Sequence, residues 1–150
     1  MKVVVQRSKN ASVEVEGKIV GKIEYGLVVL VGFTEGDTIK EIEYVADKIV
    51  NLRIFNDDVG VMNKSLLDVG GSILSVSQFT LYADTRKGRR PSYVNALGGE
   101  KAIDLYKKFN EILMEKGVEV EEGIFGADMK VQLLNDGPVT ITYDTDLWLG

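Results

Sequence analysis

Four of the chain's 18 basic residues fall within five positions, Arg86-Lys87-Gly88-Arg89-Arg90, in a protein whose net charge is −5. Such a cluster offers planar guanidinium forks and a point charge to phosphate oxygens. The bland alternative is a solvated turn that keeps the protein soluble. Just before it runs Ser77-Gln78-Phe79-Thr80-Leu81, whose amide and hydroxyl side chains could position a polar group or a water. A third segment, Asn135-Asp136-Gly137-Pro138, reads as an ordinary turn between two strands. A cis bond there would aim neighbouring carbonyls the same way and make a rigid pair of acceptors.

Two absences limit the chemistry. The chain has no histidine and no cysteine, which removes Ser-His-Asp and Cys-His catalysis, disulfides and thiolate metal sites. Without a base to activate them, Ser77 and Thr80 are weakly supported as nucleophiles. A reaction would have to rest on Ser, Thr, Lys, Tyr, carboxylates, backbone amides or the substrate itself. No metal signature is present: Asp57-Asp58 lacks the spacing of a calcium loop, and Glu119, Glu121 and Glu122 fit a solvated strand face. Gly32-Phe33-Thr34-Glu35-Gly36 lacks the Gly-Lys-Ser/Thr ending of a phosphate loop. No cofactor is expected.

The elements that must hold these segments follow from periodicity. Val3-Val4-Val5 is strand-like, residues 12–20 alternate around Gly17-Lys18 as a hairpin, and 27–33 is a buried central strand. Ile39, Ile42, Val45, Ala46 and Ile49 predict a helix over 38–51 with Asp37 or Thr38 as N-cap. Strands follow at 52–55 and 72–81, and residues 82–99 form a long aperiodic connection. A second helix carries Ala102, Leu105, Tyr106, Phe109, Ile112 and Leu113 and stops at Lys116-Gly117. Two strands, 128–134 and 139–143, close the chain, and Trp148 could serve as a core or dimer anchor. The order is not that of a doubly wound sheet. It predicts an α+β fold, one domain over 1–150, with a mostly antiparallel, barrel-like sheet and two main helices packed on it. Apolar residues at 45% exclude disorder, and no apolar run reaches a membrane span. A cytoplasmic protein is expected, with no membrane and no DNA partner.

Residues 77–92, from Ser77-Gln78-Phe79-Thr80-Leu81 through Arg89-Arg90-Pro91-Ser92, resemble the signature of the D-aminoacyl-tRNA deacylases, also known as D-tyrosyl-tRNA deacylases. Asn135-Asp136-Gly137-Pro138-Val139-Thr140 resembles their second motif. The resemblance extends to Val4-Val5-Gln6-Arg7, Asn51-Leu52-Arg53-Ile54-Phe55 and Gly123-Ile124-Phe125-Gly126-Ala127-Asp128-Met129. It departs at Ser8, where a valine is expected, and at Gly98-Gly99, where Pro-Pro is usual. These departures loosen a helix entry and leave both motifs intact.

The resemblance implies an enzyme that cleaves the ester of D-aminoacyl-tRNA and works as a homodimer. It implies a catalytic set of Ser77, Gln78, Phe79 and Thr80, with backbone amides near Phe79 and Thr80 stabilising the oxyanion. Thr80 then positions, while the terminal 2′-hydroxyl assists and water is the final acceptor. It implies chiral selection by Gly137 and Pro138, joined by a cis bond and reaching into the other subunit, with Arg7 holding them and Phe125 and Met129 nearby. Carbonyls there exclude L side chains, so selection works by rejection, and an achiral glycyl ester, including glycine misloaded on tRNA(Ala), escapes it. Arg86, Lys87, Arg89 and Arg90 are the expected tRNA contacts. The competing readings are a non-catalytic RNA-binding module, a ligand-free structural dimer and a general esterase.

Overall fold

A computed structural model describes residues 1–149. The single-domain expectation over 1–150 includes Gly150, which lies outside the described residues. Two long strands dominate: β1 (Lys2–Val15) and β2 (Lys18–Gly32). They pair antiparallel from Lys2 opposite Gly32 to Val15 opposite Lys18. The separate strands and hairpin expected at 3–5, 12–20 and 27–33 are thus parts of one long hairpin. The polar residues between them, such as Lys9 and Lys22, interrupt the apolar pattern but not the ladder, because backbone pairing is indifferent to side-chain polarity.

Helix α1 (Ile39–Asn51) starts at Thr38, which forms a capping box with Glu41. β3 (Phe55–Asn56), β4 (Met62–Lys64) and the short α2 (Leu66–Val69) lead to β5 (Ser72–Ser77). A 3₁₀ turn at Phe79–Tyr82 follows, then α3 (Gly99–Glu115), β6 (Val120–Glu122), β7 (Lys130–Asp144) and α4 (Thr145–Trp148). The strand expected at 52–55 is reduced to Phe55–Asn56. Ile54 is drawn out of any ladder, since its N–H donates to the Leu52 carbonyl and its own carbonyl is taken by Arg7. Trp148 is half-exposed and meets the Tyr143 ring edge-on.

The main sheet runs β6-β5-β2-β1-β7. β1 pairs antiparallel with β2 and β7, whereas β2–β5 and β5–β6 are parallel. The fold is α+β as expected, but the sheet is open, with β6 and β7 at its edges, so the barrel-like expectation resolves to no closed barrel. Helices α1 and α3 cover one face, where Ile42, Val45 and Ile49 meet Phe109 and Leu113 over Val3, Val5, Leu27 and Val29. Val28, Leu74 and Val76 point the other way and join Ala11, Val13 and Ile23 in a second cluster.

Phe109 is fully buried in this core. Phe109→Ala is expected to destabilise the fold by about 3–5 kcal/mol, read as a lower urea midpoint at unchanged slope.

Candidate functional site

The parallel strand β5 ends abruptly, and that ending makes the site. Sequence alternation extends the strand to Leu81, but the ladder stops at Ser77. The Gln78 N–H bonds the Val31 carbonyl at 2.7 Å, and the chain then coils into the 3₁₀ turn. Gly32 permits this approach, because a Cβ there would stand 2.7 Å from the Gln78 carbonyl oxygen. Strand alternation would place Ser77 and Phe79 on one face and Gln78 and Thr80 on the other, and the turn breaks that pattern. Instead the Gln78 amide donates to Thr80 Oγ1 at 2.5 Å. Among the described residues, the N–H groups of Phe79 and Thr80 have no backbone acceptor; they open the turn, where such groups have none within it.

Ser77, Gln78 and Phe79 line a cavity of about 230 Å³. Its opposite wall is the 123–129 loop, with Phe125 and Met129, and Phe33, Leu97 and Ala102 complete it. The 123–129 loop is tied to the strand: the Gly123 N–H and the Tyr106 hydroxyl both donate to the Ser75 carbonyl, at 3.0 and 2.8 Å. Tyr106 also packs on the Phe125 ring at 6.0 Å. The structure thus brings five of the expected residues to one cavity. The contributions of Gly32, Leu97 and Ala102 escaped the sequence reading; Gly32 alone carried a signal, as a glycine closing an apolar run.

Gly137 and Pro138 are placed elsewhere. The expected pair of strands joined by a hairpin turn is a single strand, β7, with a bulge, because both halves pair with the same neighbour. Gln6 faces Thr140 and Ser8 faces Asn135, so Arg7 alone stands opposite residues 136–139. Inside the bulge the Gly137–Pro138 peptide is cis and both residues are exposed. Asn135 closes the bulge, accepting from the Val139 N–H at 2.8 Å and donating to Thr140 Oγ1 at 2.9 Å. Arg7, 7% exposed, holds it from beneath: Nε donates to the Asp136 carbonyl and Nη1 to the Ile54 carbonyl, both at 2.7 Å. Gly137 has φ +144°, and a Cβ there would meet Val139 N at 2.9 Å and Arg7 Nη2 at 3.1 Å. Neither Gly137 nor Pro138 lines the cavity of its own chain.

The basic segment leaves the 3₁₀ turn as an exposed loop with a closed neck. Asp84 and Ser92 exchange two backbone hydrogen bonds of 2.8 Å. Asp84 also grips Arg86 in a two-point contact, Nε–Oδ1 2.9 Å and Nη2–Oδ2 2.7 Å. That contact holds the Asp84 carboxyl at about 2, below the usual carboxylate range. Lys87, Arg89 and Arg90 have no ion pair among the described residues. Nor does any group of three or more Asp or Glu side chains among them converge so as to hold a metal ion.

A protein-family model described as D-Tyr-tRNA(Tyr) deacylase matches residues 4–144. The chain belongs to that family. Proteins named D-aminoacyl-tRNA deacylase from Bacillus velezensis and Brevibacillus brevis are 60% and 61% identical over 145 residues, covering 97% of this chain and 99% and 100% of theirs. A solved structure titled c-Myc DNA Unwinding Element Binding Protein superposes with a TM-score of 0.91 at 43% identity, over 96% of this chain and 98% of that one. A second, titled as a probable eukaryotic D-amino acid tRNA deacylase, shares the fold at a TM-score of 0.82 and 17% identity, over 95% and 97% of the two chains.

The neck of the loop has a pH signature. Because the Asp84 carboxyl is depressed in the folded state, its contribution is present above the ordinary value of 3.8 and lost as pH falls toward about 2. In an NMR titration Asp84 is expected to change near 2, and Arg86→Ala should raise it toward 3.8 without reaching it, because the backbone N–H of residue 86 still donates to Oδ1.

Proposed function

We propose that this chain is a cytoplasmic D-aminoacyl-tRNA deacylase, a single domain over 1–150 that works as a homodimer. A water oxygen bonds to the aminoacyl carbonyl carbon, the carbon–oxygen bond to the terminal ribose breaks, and the proton passes to the leaving ribose oxygen. The products are free D-amino acid and tRNA. Family membership and the relatives' names support the reaction. The observation that carries the mechanism is the exposed Gly137–Pro138 bulge, braced by a buried arginine yet absent from its own chain's cavity. Such bracing suits a rigid surface offered to a second copy.

The ester is already activated, so modest stabilisation suffices. The free N–H groups of Phe79 and Thr80 suit an oxyanion, while Gln78 fixes the Thr80 hydroxyl as a positioning group. The terminal 2′-hydroxyl assists. Phe125 and Met129 flank the aminoacyl group. Discrimination works by rejection: carbonyls of the partner's bulge stand where an L side chain would project. A glycyl ester has no such side chain, so glycine misloaded on tRNA(Ala) is a substrate as well. Lys87, Arg89 and Arg90 take phosphates, with Arg86 contributing less because Asp84 occupies its fork.

A second reading has one observation behind it, the 43% identical structure titled as a DNA-binding protein. The names of the 60% and 61% identical relatives weigh against it.

Side-by-side deacylation of D- and L-charged tRNA tests the proposal. The wild type should release D-amino acid and leave the L-ester intact; release of neither would leave a binding module. Arg7→Met removes the clamp that ties the bulge at Asp136 to the Ile54 carbonyl and is expected to lower the D-over-L preference at least tenfold in protein that circular dichroism shows folded. An unchanged preference would refute the role given to Arg7. Replacing Lys87, Arg89 and Arg90 by Ala should flatten the salt dependence of tRNA binding by about 0.7–0.9 in log–log slope for each phosphate no longer neutralised, and Arg86→Ala should flatten it least.

A further inference from the structure

Phe79 and Tyr93 stand together at the rim of the cavity with their rings edge to face, centroids 5.0 Å apart. They are 53% and 39% exposed, unusual for two aromatic side chains that touch each other. Phe79 also lines the cavity. Within three residues of each along the chain, at Tyr82 and Asn95, lies a groove of about 310 Å³, whose lining also includes Lys2 and Arg86.

The rim and the groove are parts of one rigid unit. Residues three apart in a 3₁₀ turn eclipse and lie about 6 Å apart along its axis, which relates Phe79 to Tyr82. Tyr93 follows Ser92 directly, and Ser92 is bonded twice to Asp84, which grips Arg86. Lys2 lays its ammonium 4.8 Å from the centroid of the Tyr82 ring and has no ion pair among the described residues. The Tyr82 hydroxyl is turned onto Asp146. The one carboxylate lining the groove among the described residues, Asp84, is held by Arg86, and Asp146 lies behind it on the Tyr82 hydroxyl, so the Lys2 ammonium is the cation the groove has to offer.

We propose that the Phe79–Tyr93 pair is a stacking platform for an unpaired base, and the groove at Lys2 a seat for its phosphate. The site thereby takes the single-stranded 3′ end of an RNA beyond the esterified nucleotide. This rests on the deacylase reading for the identity of the RNA, but not for the binding chemistry. Aromatic faces accept any base and a flanking cation tracks the backbone, which is how single strands are held without sequence preference. The exposed Lys87, Arg89 and Arg90 on the same loop complement a polyanion and oppose an apolar protein partner.

The test uses fluorescence anisotropy with a short single-stranded RNA and with a blunt duplex of the same sequence. Tyr93→Ala should weaken the single strand about tenfold and leave the duplex unchanged, Tyr93→Phe should restore binding, and Lys2→Gln should flatten the salt slope for the single strand. A parallel assay compares hydrolysis of D-aminoacyl-tRNA with that of a D-aminoacyl adenosine ester. There the tRNA-to-adenosine ratio of kcat/KM should fall about tenfold in Tyr93→Ala. Equal weakening of single strand and duplex, or no weakening, would overturn the platform. Single-strand binding that depends on Tyr93 without hydrolysis of either ester would uphold the platform and sink the deacylase reading instead.

Discussion

A guanidinium inside a β-sheet has to be given acceptors, and Arg7 organises the molecule around that need. Removing a charge from water costs several kcal/mol unless hydrogen bonds replace the lost hydration. Here the replacements come from two distant places, the Ile54 carbonyl after α1 and the Asp136 carbonyl in β7. The Asp136 carboxylate adds a looser contact at 3.8 Å. One side chain thereby fixes a helix exit, the middle of β1 and the bulge of β7. The backbone that follows Asp136 inherits its orientation from this clamp.

A second brace works from the helical side. Tyr106 and Asn110, four residues apart, are buried on one face of α3. Tyr106 holds the carbonyl of Ser75, two residues before Ser77, and Asn110 donates to Glu122, three residues before Phe125. The two walls of the cavity are therefore anchored to the same helix, and their separation is set by packed groups and not by loop preference. A 3₁₀ turn and a seven-residue loop could not hold that spacing alone.

Much of this was legible in the residues. The helix over 38–51 follows from apolar spacing and a threonine cap, and the end of α3 from Lys116-Gly117, because both signals are local. The α+β class follows from element order. What could not be read was long-range. Whether residues 3–5 and 12–16 form one strand depends on the partner that satisfies their backbone, and Phe79–Leu81 looks like strand until Gly32 lets the Gln78 carbonyl close in. The bulge was hidden for the same reason: Asn-Asp-Gly-Pro is good turn chemistry, and only the shared neighbour β1 keeps the chain running straight on. Within the site, resemblance supplied Phe125 and Met129, whereas nothing in a single sequence connects Tyr93 to Phe79, fourteen residues apart across a loop.

The bulge in β7 has a consequence for the behaviour of the chain in crowded solution. β7 is an outer strand of 15 residues with exposed Val131 and Leu134, and a straight strand of that kind is a template on which foreign strands can grow. Residues 136–139 depart from the ladder and divide it into two short stretches. No long, flat row of donors and acceptors survives to be copied. The kink that displays Gly137 and Pro138 is thus also a guard against fibrous association.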